Sequence, residues 1–348
     1  MNTILTNKIE QFIREMPKVE LHLHLEGAIP LETLLNFIKR ERKEPSIKTI
    51  EDLRKKLTYS SFEHFIEVWI WKNTFINYER DFKELVYQVL RTLSQQNVKY
   101  AEITYSPGDY WRIGLSARKI TEYLIEGKEK AYHDFNIRSE LIVDLIRDHG
   151  PEIGMHRLDE LTPYQGKGLI GITIGGSEQS FPPDPYTHVY KEAKNRGFRL
   201  TAHAGEAAGA GSIWAAINKL GVERVGHGIR ANEDIELVSF LKKKKIPLEM
   251  CVISNIKTGV CKCIEEHPIK QYFNQGLIVT VNSDDPTMFN TTITMEFLEL
   301  VKRLNFTLDD IKKLTLNGID SSFMLDNEKE SMKSQFEEEW QKLLSKYH

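Results

Sequence analysis

From residue 98 onward, short apolar runs alternate with longer amphipathic stretches. The runs are Tyr100–Tyr105, Ser139–Leu145, Leu169–Ile174, Phe198–His203, Arg224–His227, Pro247–Ser254 and Leu277–Asn282. Helical patterns lie between them, over 116–134, 151–160, 186–195, 212–219, 233–243 and 266–274. An earlier run, Lys18–Glu26, alternates with period two, which is the signature of a strand. Val19, Leu21, Leu23 and Leu25 share one face; Glu20, His22, His24 and Glu26 share the other. Strand–helix alternation predicts a parallel sheet. Eight such units, counting the early run, predict a closed (β/α)8 TIM barrel of the α/β class. An open doubly wound sheet is the alternative. No Gly-x-Gly-x-x-Gly follows the first strand, which counts against a dinucleotide-binding version.

Residues 4–16 read as a short amphipathic helix, with Ile9, Phe12 and Ile13 on one side. The stretch from about 31 to 97 is helical in pattern throughout, an insert after strand 1. Within it Phe65, Ile66 and Trp69 recur at helical spacing. They read either as a core face or as the apolar wall of a ligand pocket beneath a partial lid. The tail from about 307 is helical and charged. No repeat or low-complexity linker interrupts the chain, so residues 1–348 are expected to form one barrel domain.

The net charge of −3 offers no electrostatic footprint for nucleic acid and no polybasic patch for a membrane. No apolar run approaches the ~20 residues of a membrane span, and the N-terminus has no charged-then-apolar signal pattern. Lys242–Lys245 reads as the basic end of a helix before Pro247. Cys251, Cys261 and Cys263 are too few for a disulfide framework and fit a reducing cytoplasm. Cys261-Lys-Cys263 is half of a zinc pattern without a second pair, so these thiols are expected to be packed or solvated.

If the barrel forms, chemistry belongs at the C-terminal ends of its strands. His22 and His24, two apart on a strand, point to one side, here the lumen. The fifth run ends in His203, with Glu206 one turn later. The sixth ends in Gly226-His227-Gly228, and the eighth in Asn282-Ser-Asp284-Asp285-Pro286. Polar side chains in a lumen are costly unless paired or bound to metal. Histidines with an aspartate suit Zn2+ or a similar divalent ion. A lone histidine is more often a hydrogen-bonded core or surface residue, and His267, next to Pro268, is set aside as a helix start. Gly175-Gly176 after the fourth run allows close backbone approach to a ligand, or forms an ordinary tight turn. No lysine ends that run to bridge two metals, since Lys167 lies at its other end; one metal is expected.

Met16-Pro-Lys-Val-Glu-Leu-His-Leu-His-Leu-Glu-Gly, Thr201-Ala-His-Ala-Gly-Glu-Ala-Ala-Gly, Arg224-Val-Gly-His-Gly-Ile-Arg and Val281-Asn-Ser-Asp-Asp-Pro-Thr-Met-Phe occur in this order. Together they resemble the adenosine deaminase family of the amidohydrolase superfamily, from about Met16 to Met324. The resemblance implies a single Zn2+ held by His22, His24, His203 and Asp284. Glu206 would protonate purine N1, His227 would orient the attacking water, Asp285 would hold N7 and the Gly176 N–H would bond N3. The implied reaction is hydrolytic deamination of adenosine or 2′-deoxyadenosine to the inosine form plus ammonia, with a small purine nucleoside as the partner. Four positions depart from the family's pattern. Glu26 stands where an aspartate usually meets the ribose 5′-hydroxyl. Thr173 and Ser177 replace acidic residues common after the fourth strand. Gly226 stands where adenine deaminases resemble Asp-His-Gly, which favours a nucleoside over the free base. Alternative substrates are 6-aminodeoxyfutalosine, 5′-methylthioadenosine and N6-methyl-AMP. From other classes come a non-catalytic purine-nucleoside binder and a metal-dependent hydrolase of esters or lactones.

Overall fold

The apolar runs pair into one eight-stranded sheet whose neighbours follow chain order from the first strand to the eighth. The strands are β1 (Lys18–His24), β2 (Val98–Tyr105), β3 (Arg138–Asp144), β4 (Leu169–Thr173), β5 (Arg199–Ala204), β6 (Arg224–His227), β7 (Leu248–Met250) and β8 (Val279–Val281). Every pairing is parallel. This computed structural model describes residues 3–59 and 62–347. Strands buried on both faces read as near-continuous apolar runs, and helices cover the outer face.

The ring closes between β1 and β8 at one place. His24 N–H donates to the Asp284 carbonyl and Asp284 N–H donates to the His22 carbonyl, both at 2.9 Å. The backbone bridge that completes the barrel therefore also brings three candidate ligands side by side. Two non-glycine residues at strand ends, His227 (φ 59°) and Asp284 (φ 60°), adopt the left-handed conformation. Such strain persists where surrounding structure holds it, and it clusters at functional sites.

Between β1 and β2 run four helices, Leu31–Glu41, Ile50–Lys56, Phe62–Asn73 and Asp81–Ser94, as the pattern over 31–97 predicts. The N-terminal helix Thr3–Glu15 docks through Phe12 on Trp340 of the final helix, Asp326–Tyr347, with ring centroids 4.7 Å apart. Lys242–Lys244 form the last turn of the helix Ile235–Lys244, as expected.

One expectation fails. The run Pro247–Ser254 is strand only over Leu248–Met250, and Val252–Lys257 is a helix. Val252 and Ile253 favour strands locally. The Glu296 carboxylate overrides that preference by accepting the Ile253 N–H at 3.1 Å, one of the amides a helix start leaves open.

Candidate active site

Side chains from five strand ends converge in the barrel mouth. The His22 and His203 rings lie 4.6 Å apart, and the His24 and His203 rings 5.0 Å apart, centroid to centroid. One ring nitrogen from each of the three histidines falls within 4.8 Å of the others. Asp284 Oδ1 is 3.5 Å from His22 Nε2 and 3.4 Å from His24 Nε2. Ser254 Oγ donates to the other oxygen, Oδ2, at 2.6 Å, which leaves Oδ1 to the cluster.

Behind this layer, His22 Nδ1 lies 2.8 Å from the Glu249 carboxylate. The Nδ1–H donates there, so Nε2 turns inward, and that buried nitrogen has no hydrogen-bond partner. A ring nitrogen buried this way needs an explanation, and a cation supplies one. Burial pushes His24 down to about 4 and His203 well below the ordinary histidine range, so both rings are neutral with lone pairs to offer. Burial also opposes a charge on His22, but Asp284 and Glu249 outweigh it and raise that ring's pKa. A metal ion can take the place of that proton between the same carboxylates. The donor set, its spacing and the unpartnered Nε2 thus fit a divalent cation. The Cys261/Cys263 pair belongs to no such group among the described residues.

Glu206 sits beside the cluster, with Oε2 3.5 Å from His227 Nε2 and 4.0 Å from His203 Nδ1. Burial pushes its carboxyl up to about 8, and the charges of Asp284 and Glu178 add to the shift. It therefore carries its proton at neutral pH. Its loop is pinned by Glu178, which accepts the N–H groups of Gly205, Glu206, Ala207 and Ala208 at 2.6, 3.1, 2.7 and 2.9 Å. Gly205 has φ 69°, and a Cβ there would lie 2.3 Å from Ile213.

Asp285 is buried next to Asp284. Burial first, then the Asp284 charge, pushes its carboxyl well above the usual range, and its Oδ1 has no partner. Its seat exists because residue 27 is glycine: a Cβ there would lie 1.8 Å from Asp285 Oδ1. Glu26 opens the short 3₁₀ turn Glu26–Ala28 that follows β1. Ser106 N–H donates to its Oε1 at 3.1 Å, while Oε2 is buried without a partner. Burial pushes this carboxyl up to about 7.

The inserted helix Phe62–Asn73 supplies one wall. Wholly buried Lys72 donates to the Glu26 carbonyl at 2.6 Å and to Asn73 Oδ1 at 2.7 Å, with its ammonium 4.1 Å from the Trp69 ring centroid. Trp69 donates to Asp109, whose carboxyl burial pushes up to about 6. Phe65 stacks on Phe289, centroids 5.5 Å apart, in the short helix after Asp285. Ile66, by contrast, is exposed. Gly176 has φ 98°, and a Cβ there would lie 2.0 Å from Asp148 Oδ2. Asp148 accepts both the N–H and the hydroxyl of Ser177, at 2.8 and 2.5 Å.

Comparison with known proteins decides the family. The family described as Adenosine deaminase matches residues 17–339. The chain belongs to the adenosine deaminase family. An adenosine deaminase of Clostridium kluyveri is 32% identical over 319 residues, 90% of this chain and 92% of that protein. An adenine deaminase of Wolinella succinogenes is also 32% identical, over 321 residues, 92% of this chain and 97% of that protein. A solved amidohydrolase from Burkholderia ambifaria with bound Zn superposes with a TM-score of 0.89 at 25% identity, covering 98% of this chain and 94% of that one.

As an adenosine deaminase family member, the chain is a hydrolytic deaminase enzyme. Among the described residues, no helix is long and apolar enough to cross a membrane. The structure gathers every residue expected at the strand ends, and it adds several the sequence reading did not name. Glu249 lies at the lumen position of β7 between Leu248 and Met250, a parity that three residues of strand barely display. Lys72 sits at the end of the apolar stretch Phe65–Trp71, a weak signal for a buried cation. Nothing local marks Glu178 or Asp109, which act through loops. His267 does precede a helix, Ile269–Gln275, as expected, yet its ring also meets Asn255, 3.1 Å away.

Proposed function

We propose that this protein catalyses zinc-dependent hydrolytic deamination of adenosine and 2′-deoxyadenosine. One observation carries the reading. Among the described residues, the only buried ring nitrogen or carboxylate oxygens without a partner are His22 Nε2, Asp285 Oδ1 and Glu26 Oε2. Each open atom costs roughly 1–3 kcal/mol in the unliganded protein. A metal at the first, a purine edge at the second and a sugar hydroxyl at the third would satisfy all three.

His22, His24, His203 and Asp284 would hold one zinc ion, and bound zinc supplies hydroxide at neutral pH by lowering the pKa of water towards ~7. Glu206, protonated at neutral pH, donates to purine N1 and relieves the ring's resistance to a tetrahedral C6. Asp285, also held protonated, donates to N7. The Gly176 N–H reaches N3, and His227 orients the attacking water. Phe65 and Trp69 close the pocket wall, and the insert over about 31–97 belongs with the barrel as one domain.

Charge favours a nucleoside over a nucleotide. Ser106 joins the Glu26 and Asp144 carboxylates, through its N–H to Glu26 and its hydroxyl to Asp144, and Asp109 stands close enough to raise Glu26. The neighbouring cation, Lys72, has its hydrogen bonds committed to Glu26 and Asn73. A 5′-phosphate would face these carboxylates. Free adenine is the second reading, favoured by the equal identity to an adenine deaminase.

The test is loss of purine absorbance on adenosine, 2′-deoxyadenosine, adenine, 5′-methylthioadenosine, AMP and 6-aminodeoxyfutalosine, with and without a chelator. Preferred, chelator-sensitive turnover of the two nucleosides supports the proposal. Turnover of adenine with adenosine left poor replaces the substrate. Failure on the whole panel sinks the deaminase reading.

A further inference from the structure

Two buried residues behind His227 do more than pack against it. The Ile269 N–H donates to His267 Nδ1 at 3.3 Å. A backbone amide can only donate, so Nδ1 is the bare nitrogen of that ring and Nε2 carries the proton. His267 Nε2 lies 3.1 Å from Asn255 Oδ1, which accepts from it. Asn255 therefore presents its NH2 group to His227 Nδ1, at 3.2 Å. That NH2 can only donate, so Nδ1 of His227 is bare as well, and its proton rests on Nε2. The Nε2–H faces the reaction space, 3.5 Å from Glu206 Oε2 and 3.9 Å from Asp284 Oδ2.

All three side chains are buried. Burial pushes His267 down to about 3, so that ring is neutral with a single proton to place. The backbone at Ile269 thus sets a polarity that passes through three side chains without a break. His227 itself is 1% exposed, closed in on the side that Asn255 occupies.

We propose that His267 and Asn255 are positioning residues that hold His227 in its Nε2–H tautomer, so that it acts as a hydrogen-bond donor, and not as a base, towards the oxygen added at purine C6. The functional half rests on the deaminase reading above; the tautomer does not. A donor strengthens its bond as charge develops on that oxygen. A bare nitrogen at the same place would repel it.

The experiment uses the full-length, zinc-loaded protein labelled with ring-15N histidine. The Nδ1 and Nε2 shifts report the tautomer directly, and the His227 signals are identified by their loss in His227→Gln. In the unaltered protein the proton is expected on Nε2. Asn255→Asp places an acceptor against Nδ1 and should move the proton there, with kcat falling about 100-fold and KM changing less than about threefold. His267→Leu frees Asn255 to turn over, mixing the two tautomers and lowering kcat about tenfold. His267→Gln keeps a donor towards Asn255 and should recover most of that loss. A proton on Nδ1 in the unaltered protein overturns the proposal, as do unchanged ring shifts in a folded Asn255→Asp. A shifted proton with unchanged kcat overturns the donor role. If Asn255→Asp does not fold, the His267→Leu and His267→Gln pair decides by the same two readouts. The shifts are recorded without substrate, so a wrong substrate assignment leaves them unaffected.

Discussion

Two clusters of buried charge share the inside of this barrel, one at its floor and one at its mouth. At the floor, Arg224 donates to Glu102 at 2.5 Å, to Glu249 at 2.6 Å and to the Ser321 carbonyl at 2.8 Å. Tyr100 O–H and Phe323 N–H take the remaining oxygen of Glu102, and His22 takes that of Glu249. Every carboxylate oxygen has a partner. At the mouth, on β1 and just beyond β1 and β8, His22 Nε2, Glu26 Oε2 and Asp285 Oδ1 are left open. Equal burial and similar charge thus have two meanings. A closed network specifies the fold, whereas an open one waits for a ligand. His22 belongs to both, with one nitrogen in each.

The comparison breaks first at the metal. His203→Ala should lose zinc by metal analysis and drop turnover at least about a thousandfold, with the melting temperature of the metal-free protein nearly unchanged. A metal-replete, active variant would remove His203 from the site. Next comes Glu206→Gln, expected to keep metal and fold while kcat falls about 10²–10⁴-fold. The same assignment gives the unaltered enzyme a kcat that declines on the alkaline side, where the Glu206 proton is lost. A flat profile between pH 7 and 9 would contradict it.

At the floor the expected loss is stability. Arg224→Ala strands two buried carboxylates and should cost about 3–5 kcal/mol in denaturant unfolding. Through Glu249 it should also weaken zinc binding about 10–100-fold, as removing a residue that orients a ligand does. Unfolding at the original denaturant midpoint would show that the floor network is not structural. The smallest effect is expected outside both clusters, at Glu296. Burial pushes this carboxyl up to about 8. Its folded pKa is raised above the unfolded value, so its contribution is complete below the ordinary glutamate range of ~4.3 and is lost as pH rises through about 8. Melting temperature should fall between about pH 5 and 8, and Glu296→Gln should flatten part of that fall, on the order of 1 kcal/mol per pH unit. An identical slope in the variant would refute the buried proton.

Much of this was legible beforehand, because period-two and helical patterns are written within a few residues. The lumen parity of His22 and His24, the strand-end places of His203, His227 and Asp284, and Glu206 one turn past its strand all follow from local spacing. The run after Pro247 reads as strand because Val252 and Ile253 carry strand preference, while the partner that makes them helical, Glu296, is 43 residues away. A histidine before a proline looks ordinary in the sequence until Asn255 links His267 to His227.

The sequence by itself determined the number and order of the strands, the helical insert and the chemical identity of the mouth. Those are sums over near neighbours, repeated along the chain. Only the tertiary structure decided where the barrel closes, which makes His22, His24 and Asp284 adjacent. It alone decided that Glu206 is protonated at neutral pH and that one nitrogen of His22 is spent while the other is free. Burial and hydrogen-bond saturation depend on partners drawn from the whole chain, as when Glu20 accepts from Ser283 across 263 residues. No local period records such a meeting.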